Sequence, residues 1–185
     1  ADGQFNNVTG LLVSGNYLYV TDQSNQRIQR IDISGTNPVP AGWVGQAATT
    51  PPAAGQLPTC GTQPTSGNST PGWCLGGTAQ LARRDSGGVA GPPSEVAAPN
   101  EGFYNPKGLS TDGTYLYVSD YNNYRVVRID LGSGAFDGWI GYIYRSSALS
   151  PTVPSQTSGT YTSTWTSGGV TSAGAGVNAF GAMND

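Results

Sequence analysis

Two short constellations in this chain have residue types and spacings that suit chemistry. Asp22, Asn25 and Arg27 stand at fixed intervals, and Asp120, Asn123 and Arg125 repeat those intervals further along. Read functionally, the repeated carboxylates suit a paired-carboxylate or ion site. They equally suit a structural pair, in which the Asp accepts hydrogen bonds from its own turn and the Arg reaches a neighbouring sheet. The repetition favours the structural reading. Arg30 with Asp32, and Arg128 with Asp130, stand two apart on one strand face and are expected to pair side by side. The metal alternative is a carboxylate-only calcium site near Asp120.

Other chemistry finds little material. The chain has no histidine, so the common general base and the common nitrogen ligand for metals are missing. No G-x-S-x-G elbow occurs, and Gly174-Ala175-Gly176-Val177-Asn178-Ala179 fits a dinucleotide fingerprint only loosely, because it follows no strand. Cys60 and Cys74 lack metal or redox spacing and are read as a disulfide. Closing a loop of about 15 residues, that bond would contribute about 3 kcal/mol through the unfolded chain. No catalytic residue, metal site or cofactor is therefore expected, and the protein is read as not an enzyme. Asn7 and Asn68 head N-x-S/T triplets and are candidate glycosylation sites. Tyrosines number 10, and Tyr17, Tyr19, Tyr115 and Tyr117 are expected to pack within sheets rather than stack on sugar.

Composition narrows the partners. Charged residues are 10% of the chain and the net charge is −3, which leaves no basic stripe for nucleic acid. No apolar run is long enough to span a bilayer as a helix. A surface of Ser, Thr, Asn, Gln and Gly, with a disulfide beneath it, is expected outside the cell or within an assembly.

The elements that position these residues come in two copies. Tyr17-Leu18-Tyr19-Val20-Thr21-Asp22, a turn, and Arg27-Ile28-Gln29-Arg30-Ile31-Asp32 return as Tyr115-Leu116-Tyr117-Val118-Ser119-Asp120, a turn, and Arg125-Val126-Val127-Arg128-Ile129-Asp130. Nothing is inserted or lost between 10–32 and 108–130. Each copy predicts four short antiparallel strands: a short strand from Gly10, the Tyr strand, the Arg strand, and a last strand carrying Gly42-Trp43-Val44-Gly45 or Gly138-Trp139-Ile140-Gly141. The turn residues 14–16, with Gly15 and Asn16, favour a hairpin. The Tyr strands are apolar on both faces, so each sheet is expected to be sandwiched between others.

Between and after these blades lie stretches rich in Gly, Pro, Ser and Thr. The domain reading is 1–98, with a blade at about 3–45 and a disulfide-bearing arm at 46–98. It continues with 99–185, a blade at about 101–141 and a C-terminal arm at 142–185. The arms share a Trp-x-x-Gly-Gly pattern, so the 4 tryptophans fall into matched pairs, Trp43 with Trp139 and Trp73 with Trp165. The fold class is all-β: two four-stranded antiparallel blades with long irregular arms.

The blade pattern resembles the NHL repeat. Phe5, Asn7, Gly10, Leu18 to Asp22, Asn25 and Arg27 to Asp32 carry the resemblance, and Phe103, Asn105, Gly108, Leu116 to Asp120, Asn123 and Arg125 to Asp130 carry it again. It is similar to long secreted bacterial NHL proteins. The resemblance implies propeller blades, which family members close into rings of more blades than two. Two blades would leave sheet faces and strand edges to be covered by partners. The expected function is a non-enzymatic extracellular structural subunit that assembles head to tail with copies of itself into a fibre, tube or surface layer. Phe5, Phe180, Trp73 and Trp165 are the expected inter-subunit residues, with residues near Phe180 expected to dock at the next copy's first blade. The alternative is a segment of a closed secreted propeller that binds protein or glycan.

Overall fold

A computed structural model describes residues 2–47, 60, 70–77, 102–141, 143–145, 165 and 170–171. The protein is all-β among these residues, with two four-stranded antiparallel sheets and, as helix, a single 3₁₀ turn in each. The first blade is β1 (Val8–Ser14), β2 (Tyr17–Asp22), β3 (Arg27–Asp32) and β4 (Val39–Gly45), paired in that order. The second is β5 (Pro106–Thr111), β6 (Tyr115–Asp120), β7 (Arg125–Asp130) and β8 (Phe136–Gly141), ordered likewise. A small antiparallel pair joins β9 (Ile143–Arg145) to β10 (Val170–Thr171).

The matched stretches fold alike because their local chemistry matches. β2 and β3 pair without a slip, as do β6 and β7. The 3₁₀ turns Gln23–Asn25 and Tyr121–Asn123 join them, each closed by a left-handed residue, Gln26 at φ 55° and Tyr124 at φ 49°. At Gly10 and Gly108 the first strand of each blade slips register, and the amide freed there donates to a hydroxyl across the ladder, Thr21 Oγ1 at 2.5 Å and Ser119 Oγ at 2.6 Å. The hydroxyl position in the repeat therefore satisfies a backbone donor that the bulge leaves over.

Several strand ends differ from the sequence reading, among them the start of β5 at Pro106 rather than Gly108. β1 begins at Val8 rather than Gly10, and β4 begins at Val39 rather than Ala41. Pro38 and Pro40 read as turn, but β4 is the last strand of its sheet, and proline is tolerated on an edge.

The blades stack face to face around one core. Tyr19, Ile28 and Val44 from the first blade meet Phe103, Leu116, Val118, Val127, Ile129 and Trp139 from the second. β1 lies along β5, so the first strands of the blades are neighbours, and Thr9 Oγ1 donates to the Pro106 carbonyl at 3.2 Å. This is the radial arrangement of propeller blades. Of the four strand positions in β2 expected to be sandwiched, Tyr19 and Val20 are each 2% exposed, while Tyr17 and Leu18 near the hairpin are half-buried.

Candidate functional site

Asp22 and Asp120 end the second strand of each blade with no exposed surface. Asp22 accepts from the Asn6 amide at 2.7 Å, from Asn25 Nδ2 at 2.9 Å, and from Arg27 Nε and Gln29 Nε2 at 2.8 Å. Asp120 accepts from the Tyr104 amide and Asn123 Nδ2 at 2.7 Å and from Arg125 Nε at 2.9 Å. Burial pushes the Asp120 carboxyl up, and the Arg125 charge pulls it back. Both oxygens of each carboxylate already face N–H donors, and a calcium ion would have to displace them and sit beside a guanidinium. Among the described residues no group of three carboxylate or cysteine side chains gathers as a metal site.

Arg27 and Arg125 close on the Asp of their own blade and on the lead-in carbonyls of Gln4 and Gly102, at 2.8 and 2.7 Å. A reach toward the neighbouring blade is made by Arg30, whose Nη1 donates to Gly132 O in the second blade at 3.0 Å. The side-by-side pairs are corrected. Asp32 turns to the Ser34 amide and Asp130 to Ser133, while Arg128 pairs with Asp137 across the ladder. A short carboxylate can satisfy the turn that follows its own strand, so it is taken by the turn before a long cation can claim it.

The tryptophans divide by role. Trp43 and Trp139 are buried, at 0% and 1% exposure. Trp73 and Trp165 are half-buried, and each lies on the equivalent surface of a blade. Trp73 packs on Tyr19 with ring centres 5.5 Å apart, and Arg30 lies 4.7 Å over both Trp73 and Tyr17. Trp165 packs on Tyr117 at 5.7 Å, and Arg128 lies 4.4 Å over both Trp165 and Tyr115. A guanidinium held between two aromatic faces is a favourable cation–π arrangement.

Trp73 is also a bridge between blades. Its amide donates to Ser133 O at 3.0 Å and its indole to Leu131 O at 3.2 Å, while Gly134 leaves room for its ring. The neighbouring Cys74 forms a two-way backbone bridge with Trp43 on the edge of β4, and its disulfide to Cys60 ties down the arm. An open groove of about 570 Å³ beside Tyr17, Tyr19, Arg30 and Gly132 marks the outer rim of this joint.

Phe5 is 44% exposed, and Phe180 and Asn68 lie outside the described residues, as does the glycine-rich 174–179. Asn7 is exposed in the left-handed conformation, with Nδ2 donating to Gln23 Oε1 at 2.8 Å. One inter-blade contact had no sequence signal beyond Asn105 matching Asn7. Gln26 exchanges hydrogen bonds with Asn105, donating from Nε2 at 3.1 Å and accepting from its amide at 2.6 Å.

Sheets of four antiparallel strands, repeated and packed with first strands adjacent, define a repeat protein of β-propeller type. A family model for the LVIVD repeat, a repeat of this type, matches residues 7–39, from the start of β1 into β4. No curated protein matches the chain. Among the described residues no helix is long and apolar enough to cross a membrane.

Proposed function

We propose that this chain is a non-enzymatic structural protein, an NHL-type pair of blades whose copies join head to tail into a fibre, tube or surface layer outside the cell. The carrying observation is the unequal burial of matched residues. On the leading flank of the second blade Phe103 is 3% exposed and Leu116 0%, and Leu109 packs on the core. Their counterparts on the leading flank of the first blade are less covered near its first strand and hairpin, where Phe5 is 44% exposed, Leu11 is 64% and Leu18 is half-buried, while Val20 and Ile31, which match Val118 and Ile129, are covered at 2% and 8%. The trailing flanks mirror this. Ile28 and Val44 are 0% and 3% exposed inside the joint, whereas Val126 and Ile140 are half-buried.

Part of each half of the internal joint, Phe103, Leu109 and Leu116 on one side and Ile28 and Val44 on the other, thus has a less covered counterpart on the opposite outer flank. Joining those outer flanks between copies would repeat a contact the chain already makes once. Such a heterologous contact extends without limit unless its rotation closes a ring. The disulfide and the low charge support an extracellular setting. The polar arms are candidate carriers of glycans, and the division into blade–arm units at 1–98 and 99–185 follows the repeat.

The test is sedimentation velocity over a wide concentration range, with electron microscopy of the same samples. Growth of the sedimenting species with concentration, into particles with a regular axial repeat, is expected. A compact monomer at millimolar concentration would sink the proposal. The same flanks would also suit further blades of a longer polypeptide closing one ring. Mass measurement of the polypeptide from its natural source separates the readings, since a chain several times this length favours the closed propeller and its binding role.

A further inference from the structure

We propose that Tyr115, Arg128 and Trp165 form a docking platform for the turn 34–38 of a second copy of this chain. The inference rests on the head-to-tail reading above and names the contact that would hold it.

The chain contains one complete example of such a contact. In the first blade the Tyr17, Arg30 and Trp73 platform takes three successive carbonyls from the turn after β7. The Trp73 indole takes Leu131 O, Arg30 Nη1 takes Gly132 O, and the Trp73 amide takes Ser133 O. Gly134 completes the fit, because a Cβ there would come within 2.8 Å of the indole ring. Recognition is thus by backbone carbonyls and a bare glycine, and it asks little of the turn's side chains.

Among the described residues the second blade repeats the platform without a turn on it. Tyr115, Arg128 and Trp165 stack in the matching arrangement at similar spacings, and among those residues the Trp165 indole N–H makes no hydrogen bond. Conversely, the first blade has the turn without its platform. Residues 34–40 are all exposed, whereas Gly134 in the matching turn is buried beneath Trp73. The first turn, two residues longer, carries its own Ser34-Gly35 one place earlier in the repeat than Ser133-Gly134, and Gly35 has no local need to be glycine. A Cβ there would meet only Asn37 atoms, at 3.9 Å or beyond. An aromatic platform that no described residue caps on one flank and an exposed turn on the other fit a contact between copies.

Two full-length variants test this by sedimentation velocity, with circular dichroism to check that the sheets are retained. Trp165→Ala removes the platform, and Gly35→Leu obstructs the turn at an exposed site where the added side chain has room. Each variant alone is expected to associate at least about tenfold more weakly than the unaltered chain. An equal mixture is expected to recover pairs and stop there, because the sound turn of Trp165→Ala fits the sound platform of Gly35→Leu. If either variant assembles like the unaltered chain, the platform is overturned while self-assembly stands. If the unaltered chain itself remains monomeric, self-assembly is overturned and the platform with it.

Discussion

Asp120 and Arg125 are a buried ion pair, at 0% and 2% exposure, with every oxygen of the carboxylate engaged by a donor. Such a pair adds little to stability when compared with two apolar residues of the same volume, but breaking it leaves a charge stranded. Asp120→Ala would strand the Arg125 guanidinium and free the Tyr104 amide together. The expected loss is about 3–5 kcal/mol, read from urea unfolding. A loss below about 1 kcal/mol would mean that water reaches Arg125 and that the pair acts like a surface salt bridge. The spacing of Asp and Arg was legible in the sequence because it repeats. The partner of Arg30 was not, because guanidinium-to-carbonyl bonds leave no trace in the identity of the accepting residue.

The elements show where alternation and repetition suffice. β2, β3, β6 and β7 could be placed from Tyr-x-Tyr and Arg-x-x-Arg alone, since both faces of each strand carry packing residues and the turns between them match. The ends of β1 and β4 could not, since edge strands tolerate proline and bulges that read as turn. The hairpins differ too. Both turns use a left-handed glycine, Gly15 at φ 56° and Gly113 at φ 91°, but the β5–β6 turn is also fastened by Asp112, which accepts from the Thr114 and Tyr115 amides at 2.8 Å and from the Tyr117 hydroxyl at 2.7 Å. These bonds, the Tyr115 amide first, hold the Asp112 carboxyl down to about 2 from its ordinary 3.8. A depressed carboxyl contributes stability that is present above the unfolded value and lost as pH falls through the folded one. Amide exchange at Thr114 and Tyr115, corrected for the intrinsic pH dependence of exchange, is therefore expected to lose protection between about pH 4 and pH 2 in Asp112-containing protein only. Equal loss in an Asp112→Ala variant would assign the effect elsewhere.

At the scale of the whole molecule, one glycine position separates folding from association. Gly10 and Gly108 occupy the same place in their blades, and each amide is met by a hydroxyl across the bulge. Their surroundings differ because, among the described residues, only Gly10 has a following blade against it. A Cβ on Gly10 would lie 2.2 Å from the Lys107 carbonyl oxygen, a backbone atom that cannot step aside without parting β1 from β5. Among the described residues a Cβ on Gly108 would meet only the Ser119 side chain, whose Oγ at 3.1 Å needs to give by a few tenths of an ångström, and no backbone atom of another blade. Gly10→Ala is accordingly expected to destabilise the single chain by about 1–3 kcal/mol, as overpacking does, while Gly108→Ala stays within about 1 kcal/mol of the unaltered protein in thermal unfolding. If copies join as the two blades do, Gly108 meets the first strand of the next copy as Gly10 meets β5. The harmless substitution should then weaken assembly while leaving the chain folded. A Gly108→Ala protein that assembles at unaltered strength would mean that the joint between copies does not bring their first strands together as the internal joint does.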